Sequence, residues 1–302
     1  MADTIAIVTG STDGVGRVVA ARLATENSFR VIIHGRDWSR AEALVDEIKR
    51  AGGRASFIAA DLASLAEVRK FAADVDAACP RIDVLINNAG IGSSSSSSSS
   101  SSGGSSSGGG SSSSSSSGSS SGSSSSNSGK RQESRDGHEL RFAVNYLAGF
   151  LLTHLLLAKI KASAPARIIN VSSLGQQEID FGDVMLTQGY SGTRAYCQSK
   201  LAQILFTFDL AAELKDSGVT ANCLHPATYM DTTMVRQSGV KPWSTVEQGA
   251  DAIMNLAVAP EFACESGVFM DGLRRARPNA QAYDEEARAR LRELSRKLTG
   301  LG

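Results

Sequence analysis

Nothing in this sequence pairs its cysteines. Cys79, Cys197, Cys223 and Cys264 are scattered, with no C-x-x-C spacing. That argues against a disulfide framework or a zinc site and fits reduced thiols in a cytoplasmic protein. The four histidines show no metal-ligand spacing, so no metal is expected. Neither sign of charge prevails, with 31 Lys and Arg against 31 Asp and Glu. A balanced chain gives no electrostatic reason to expect nucleic acid or an acidic membrane surface as partner. Long hydrophobic runs are also missing. The most apolar stretch, residues 147–160, is broken by Thr153 and His154. It is shorter than the roughly 20 residues a bilayer requires and reads as a buried helix. The first strand is expected from about Thr4, which leaves no room ahead of it for a leader or an anchor.

What is present is an alternation. The 302 residues are 41% hydrophobic, enough for one large core or two small ones. Residues 4–9 form a short apolar run ending at a glycine, which reads as a buried strand. Residues 15–26 carry helical periodicity at Val15, Val18, Val19 and Leu23. Further strands are expected at 29–34, 54–60, 82–87, 166–172, 219–225 and 267–270. Further helices are expected at 39–51, 64–78, 136–162, 194–216 and 245–258. Strands separated by helices imply βαβ units and a parallel sheet covered on both faces. The expected fold is α/β: a single Rossmann domain spanning 1–302, with a doubly wound parallel sheet of about seven strands.

Two segments stand apart. Residues 93–126 are serine and glycine alone. They offer no apolar surface to bury, so 93–129 is expected to be a disordered insertion within the domain. Lengthening a surface loop costs little, about 1 kcal/mol of closure entropy for a fourfold increase. The reading is an inert insertion, with a tuned linker as the alternative. The tail, 273–302, is expected to be helical, with Leu291, Leu294 and Leu298 on one stripe. It either docks on its own domain or meets a second copy.

Thr9-Gly10-Ser11-Thr12-Asp13-Gly14-Val15-Gly16 joins the first strand to the first helix. The spacing is G-x-x-x-G-x-G. Gly10 permits a tight turn, Gly14 lets a phosphate approach the backbone, and Gly16 allows close packing of helix and strand. A helix N-terminus would then face a pyrophosphate. The plain alternative is a glycine-rich turn with no ligand.

Tyr196 and Lys200 stand four residues apart in Ala195-Tyr196-Cys197-Gln198-Ser199-Lys200. On a helix that spacing places a phenol and an ammonium on one face. An adjacent cation favours the phenolate and is expected to lower its pKa from about 10 toward neutrality. Such a phenol can exchange a proton at physiological pH.

The glycine turn, Asn87-Asn88-Ala89-Gly90 after strand four, and Tyr196-x-x-x-Lys200 occur in an order that resembles the short-chain dehydrogenases/reductases. Residues 168–173 (Ile-Ile-Asn-Val-Ser-Ser), 196–206 and 219–226 (Val-Thr-Ala-Asn-Cys-Leu-His-Pro), with the Arg/Leu-rich tail, resemble its retinol-dehydrogenase-like branch. The resemblance implies an NAD(P)(H)-dependent oxidoreductase that interconverts a carbonyl and an alcohol by hydride transfer. It implies Tyr196 as the proton-exchanging group, and Lys200 as its modulator and the holder of the nicotinamide ribose. It also implies Ser173 as a hydrogen-bond partner of the substrate oxygen, and Asn145 as the residue that bends its helix in a proton relay. Ser172 is the adjacent rival for the serine role, because only one of the two can face the cofactor.

The same resemblance assigns cofactor binding to Thr9, Gly10, Ser11, Thr12, Gly14, Val15 and Gly16, to Asp61 and Leu62 at the adenine, to Asn88, Ala89 and Gly90, to Tyr196 and Lys200, and to Pro226. A helix-starting aspartate is the alternative for Asp61. Arg36, after strand two, favours NADP(H) over NAD(H), with Asp37 a competing signal. Relatives of this kind form dimers or tetramers, so a homodimer or homotetramer is a possibility.

The sequence departs from the pattern after Pro226. Ala227 replaces the usual glycine, and Asp231 falls where Thr or Ser is expected. Phe181, Met185, Leu186 and Tyr190, with Tyr229, Met230, Met234 and Trp243, suggest a pocket for an apolar ketone, aldehyde or secondary alcohol. Alternatively these side chains pack on one another. The rival class is a non-catalytic dinucleotide sensor or scaffold of the same fold, which need not keep Tyr196, Lys200 and Ser173.

Overall fold

The computed structural model describes residues 3–93 and 130–302. The expectation of a disordered insertion falls almost wholly on residues 94–129, outside the described residues.

The sheet follows from short apolar runs. β1 (Ile5–Val8), β4 (Val84–Asn87) and β6 (Val219–His225) are buried at every position, and β2 (Arg30–Gly35) and β5 (Ala166–Val171) at all but one. Strands buried on both faces need continuous rather than alternating hydrophobicity. β3 (Arg54–Ala59) and β7 (Phe269–Asp271) extend the sheet on either side. The order is β3-β2-β1-β4-β5-β6-β7, all parallel. An eighth strand, β8 (Arg274–Arg275), pairs antiparallel with β7. Two exposed residues carry no periodic signal, which is why seven strands rather than eight were legible.

The helices are α1 (Gly14–Thr25), α2 (Trp38–Arg50), α3 (Leu65–Ala78), α4 (Ala148–Ala162), α5 (Gly192–Glu213), α6 (Thr233–Gln237), α7 (Val246–Val258) and α8 (Glu285–Thr299). Most begin at a polar cap: Asp13, Asp37, Ser64, Ser191, Thr232 and Asp284 each accept a first-turn amide. Thr245 and Gln248 form a reciprocal capping box on α7. One core lies between the sheet and α3, α4 and α5, with α8 packed against it. A second lies beneath α1, α2 and α7.

The helix expected from 136 starts later. A π-helical turn, Phe142–Leu147, leads into α4. Together they make a helical run of 21 residues, Phe142–Ala162, long and apolar enough by composition to cross a membrane, yet 67% buried inside this fold. The expectation of a stretch too short to span is therefore corrected in length, while burial within a core stands.

The tail docks on its own domain. Leu291 is buried, Leu294 and Leu298 pack against the first core, and Ser295 shares a buried 2.6 Å hydrogen bond with Tyr146.

Candidate active site

The order of strands reverses between β1 and β4, so the turns leaving those strands lie side by side. Here the glycine turn meets the Asn88–Gly90 loop. Thr9 Oγ accepts from the amides of Asn88 and Ala89, both at 3.0 Å. Asn88 Nδ2 donates to the carbonyls of Thr9 and Gly10. Gly10 has φ +63°, and a Cβ there would lie 2.8 Å from the Ala89 backbone. A Cβ on Gly16 would overlap Gly10 O and Asn88 Nδ2. Both glycines therefore serve close approach of main chain to main chain.

Ser11 is fully buried. Its hydroxyl donates to Val8 O at 2.7 Å and its amide to His34 O. Its side chain is thus held inside the turn. Thr12 packs against Gly35. Gly14 has φ +54°, with Thr232 alongside. The first turn of α1 has no intrahelical acceptor for the amides of Val15 and Gly16.

One residue of this turn went unassigned in the sequence reading. Asp13 Oδ1 accepts from Gly14 N at 2.7 Å, while Oδ2 accepts from Thr233 Oγ at 2.7 Å and pairs with Arg40 at 3.2 Å. An aspartate directly ahead of a helix is an N-cap signature, so this cap was findable.

At the tip of β2, Arg36 is exposed and lies 3.9 Å from Asp61. Asp37 is occupied as the cap of α2 and as a partner of Arg40. Asp61 accepts from Ala63 N, and Ser64 rather than Asp61 caps α3. Leu62, Thr9, Asn87, Ala89 and Asn145 line a cavity of about 10 Å³. Asn87 Oδ1 is buried there without a partner among the described residues.

Four of the predicted catalytic side chains converge beyond β4 and β5. Ser173 Oγ accepts from Gly175 N at 3.0 Å and lies beside the Tyr196 ring. A Cβ on Gly175 would meet Cys197 Sγ, Ser173 Oγ and Tyr196 Cε1 at 3.4–3.6 Å. Ser172, by contrast, turns to α5 and donates to Lys200 O at 2.7 Å. The two hydroxyls therefore part just beyond β5, and Ser173 is the one beside the Tyr196 ring. Lys200 Nζ donates to Val171 O at 2.9 Å and to Gln203 Oε1 at 3.0 Å, and lies 5.8 Å from the centre of the Tyr196 ring. Asn145 sits in the π-turn. Its Oδ1 accepts from Ile91 N, and its Nδ2 donates to Ile91 O and to Ser199 Oγ.

The electrostatics differ from expectation. Burial raises the Tyr196 pKa, and the hydrogen bond with Ser173 offsets this only in part. The Lys200 ammonium is directed to Val171 O and Gln203 Oε1. Burial also drives Lys200 itself from 10.5 to about 7. Desolvation disfavours whichever form is charged, so it moves the two groups in opposite directions.

The expected apolar pocket is divided. Leu186 is buried, Met185 packs on the core, Arg290 covers Phe181, and Tyr190 is hydrogen-bonded to Glu139 and Arg141. These side chains pack within the protein. Tyr229 and Trp243 are exposed and meet edge to face at 5.3 Å. Leu174, next to Ser173, and Leu273, beyond β7, are also exposed. After Pro226, Thr228 Oγ and His225 Nε2 share a hydrogen bond, while Asp231 is held by Arg236.

The donor set suits a dinucleotide. Main-chain amides at a helix N-terminus, a turn without a side chain at Gly14, and the Arg36 guanidinium at the tip of β2 all favour phosphate. The carboxylates of Asp13, Asp37 and Asp61 are groups of opposing sign, each paired with an arginine.

Comparisons with known proteins agree with this architecture. The family model described as short chain dehydrogenase matches residues 4–103 and 121–242. Human retinol dehydrogenase 13 is 36% identical over 98% of this chain and 84% of its own length. Human retinol dehydrogenase 11 is 33% identical over 98% and 86%. Among solved structures, an NADPH complex of a blue fluorescent protein from a metagenomic library is 25% identical, with TM-score 0.62, covering 89% of this chain and 95% of that one. The Pseudomonas aeruginosa RhlG/NADP active-site complex shares the fold, with TM-score 0.64 at 24% identity, covering 90% and 95%.

Proposed function

Because this chain belongs to the short-chain dehydrogenase family, in its retinol-dehydrogenase-like branch, we propose that it interconverts a carbonyl and an alcohol at the Ser173–Tyr196–Lys200–Asn145 site, with NADP(H) preferred to NAD(H). The observation that carries this reading is that the Ser173 hydroxyl and the Tyr196 ring lie side by side around Gly175, beyond the carboxyl ends of β4 and β5. The bound nicotinamide supplies the hydride chemistry.

The α1 N-terminus, Gly14 and Arg36 would hold the dinucleotide phosphates, and the Asn88–Gly90 loop would line its path. Arg36 is exposed and meets Asp61 only at 3.9 Å, whereas Asp37 is committed to α2. That contrast favours a 2′-phosphate over a bare ribose hydroxyl.

In the reducing direction the substrate oxygen accepts hydrogen bonds from Ser173 and Tyr196. Tyr196, held protonated by burial, donates its proton as negative charge develops on that oxygen. Lys200, poised near neutrality, eases the loss of that proton and its return. Asn145 fixes Ile91 and Ser199 around the helix that carries both groups. The exposed Leu174, Tyr229, Trp243 and Leu273 support an apolar substrate.

The test is oxidation of NADPH and of NADH against a panel of aldehydes and ketones, with Tyr196→Phe as control. Turnover with NADPH, lowered by at least about 100-fold in the variant, supports the proposal. Nucleotide binding without turnover on any substrate would assign the scaffold role instead.

A further inference from the structure

A buried polar group lies outside the reacting cluster. Glu139 and Arg141 are each 1% exposed, with their charged atoms 3.6 Å apart. A buried ion pair contributes little net stability compared with apolar packing, so position is a better account of it than strength. Its partners are specific. Tyr190 OH accepts from Arg141 Nη1 at 2.7 Å and donates to Glu139 Oε1 at 2.9 Å. Arg141 Nε donates to Gly92 O at 3.0 Å, and Nη2 donates to Ser93 O at 2.6 Å. Glu139 Oε2 accepts from Phe142 N at 2.7 Å, at the first residue of the π-turn. Asn145, in the same turn, grips Ile91 by both its amide and its carbonyl.

Three segments therefore meet at Arg141: the loop after β4, the start of the π-turn, and the chain entering α5. Their approach is close, since a Cβ on Gly192, the first residue of α5, would overlap Ser93 O.

We propose that Glu139, Arg141 and Tyr190 form a positioning group that fixes residues 88–93 against the N-terminus of α5, and so sets the placement of Tyr196 and Lys200. The link runs through Asn145 to Ser199 Oγ at 2.9 Å, and from Ser199 Oγ to Tyr196 O at 2.7 Å. The planar fork of Arg141 holds two consecutive carbonyls just before residue 94, a grip that a flexible ammonium does not reproduce. Arg141 thereby sets the loop geometry at residues 92 and 93. This role rests on the catalytic reading given above.

Tyr190→Phe removes a single oxygen and tests it. In the full chain, kcat is expected to fall about 10-fold, with nucleotide Kd changed less than about twofold and the pH profile unmoved. Hydrogen exchange is expected to rise in peptides covering 88–93 and 192–200. Arg141→Lys is expected to lose more in both readouts. Unchanged exchange and unchanged kcat in Tyr190→Phe would overturn the proposal. So would a shifted pH limb, which would make Tyr190 a proton-transfer group. If the unmutated protein turns over no substrate, the catalytic reading fails, and the exchange measurement alone decides whether these residues position the two segments.

Discussion

Lys200 is buried deeply enough to tax the fold that carries it, and the cost has a measurable pH signature. Its displacement from 10.5 to about 7 is caused by desolvation. At about 1.4 kcal/mol per pH unit this corresponds to roughly 5 kcal/mol between its charged and neutral forms. Below pH 7 both the folded and unfolded chains hold the proton, and the whole cost is borne. Between pH 7 and 10.5 the unfolded chain holds a proton that the folded chain has released, so stability rises with pH. From pH 7 to 8.5 the gain integrates to roughly 1.5 kcal/mol. That figure is a ceiling, because the hydrogen bonds from Nζ to Val171 O and Gln203 Oε1 stabilise the ammonium.

Lys200→Met keeps the length and removes the titration. It also strands those two acceptors, but that penalty does not vary with pH. The assay is urea unfolding of both proteins, without added nucleotide, at several pH values from 7 to 8.5. Cys79, Cys197 and Cys223 are raised by burial and oppose the trend as pH climbs. They are common to both proteins and cancel in the difference. The unmutated protein is expected to gain stability relative to Lys200→Met across the range. Parallel curves, within about 0.3 kcal/mol, would refute the reasoning.

Ser173→Ala is expected to lower kcat by roughly 10²–10³-fold, and Ser172→Ala by much less; a larger loss at Ser172 in steady-state assays would reverse the assignment. His34 is driven by burial from 6.5 to about 4, so the unfolded chain takes up its proton first as pH falls from 6.5. Stability should drop by about 3 kcal/mol by pH 4 from this residue, and acid titration of His34→Asn should lack that part of the loss. Asp13→Asn removes the opposing charge at the α1 N-terminus. NADPH titrations at low salt are expected to show affinity about 3- to 10-fold tighter, with the gain shrinking as salt is added; weaker binding would mean that the cap itself holds the site open.

The fold was legible because fully buried parallel strands carry continuous apolar runs, and β1, β5 and β6 fall where such runs stand. The site was legible as a set of residue types at fixed spacings. Three things were not. A bend at Asn145 was expected from the resemblance, but the π-turn at 142–147 and the bonds from Asn145 to Ile91 and Ser199 were not, since no local periodicity reports a partner 54 residues away. The direction of the Tyr196 shift is set by desolvation, offset in part by Ser173, and the spacing of Tyr196 and Lys200 reveals neither. Phe181, Met185, Leu186 and Tyr190 have the composition of a pocket. Whether they line one is decided by Arg290, the core beneath α4 and the Glu139–Arg141 pair, none of which is near them in sequence.

The polar residues inside otherwise apolar strands then acquire a common explanation. Asn87 ends β4, and Asn170 is the fifth residue of β5. Asn87 Nδ2 donates to Asn170 Oδ1, Asn170 Nδ2 donates to Thr207 Oγ, and Thr207 Oγ donates to Gln203 O. Gln203 Oε1 in turn accepts from Lys200. A lone buried amide costs free energy unless it is paired, whereas a chain of paired amides and hydroxyls can cross a core at little net penalty. This column ties β4 and β5 to the face of α5 that carries Lys200, so the ammonium has a fixed acceptor where the surroundings would otherwise expel it. Together with Val171 O, the column offsets part of the desolvation that brings Lys200 near neutrality. Loss of Gln203 or Asn170 would therefore disturb the lysine before it disturbed the sheet.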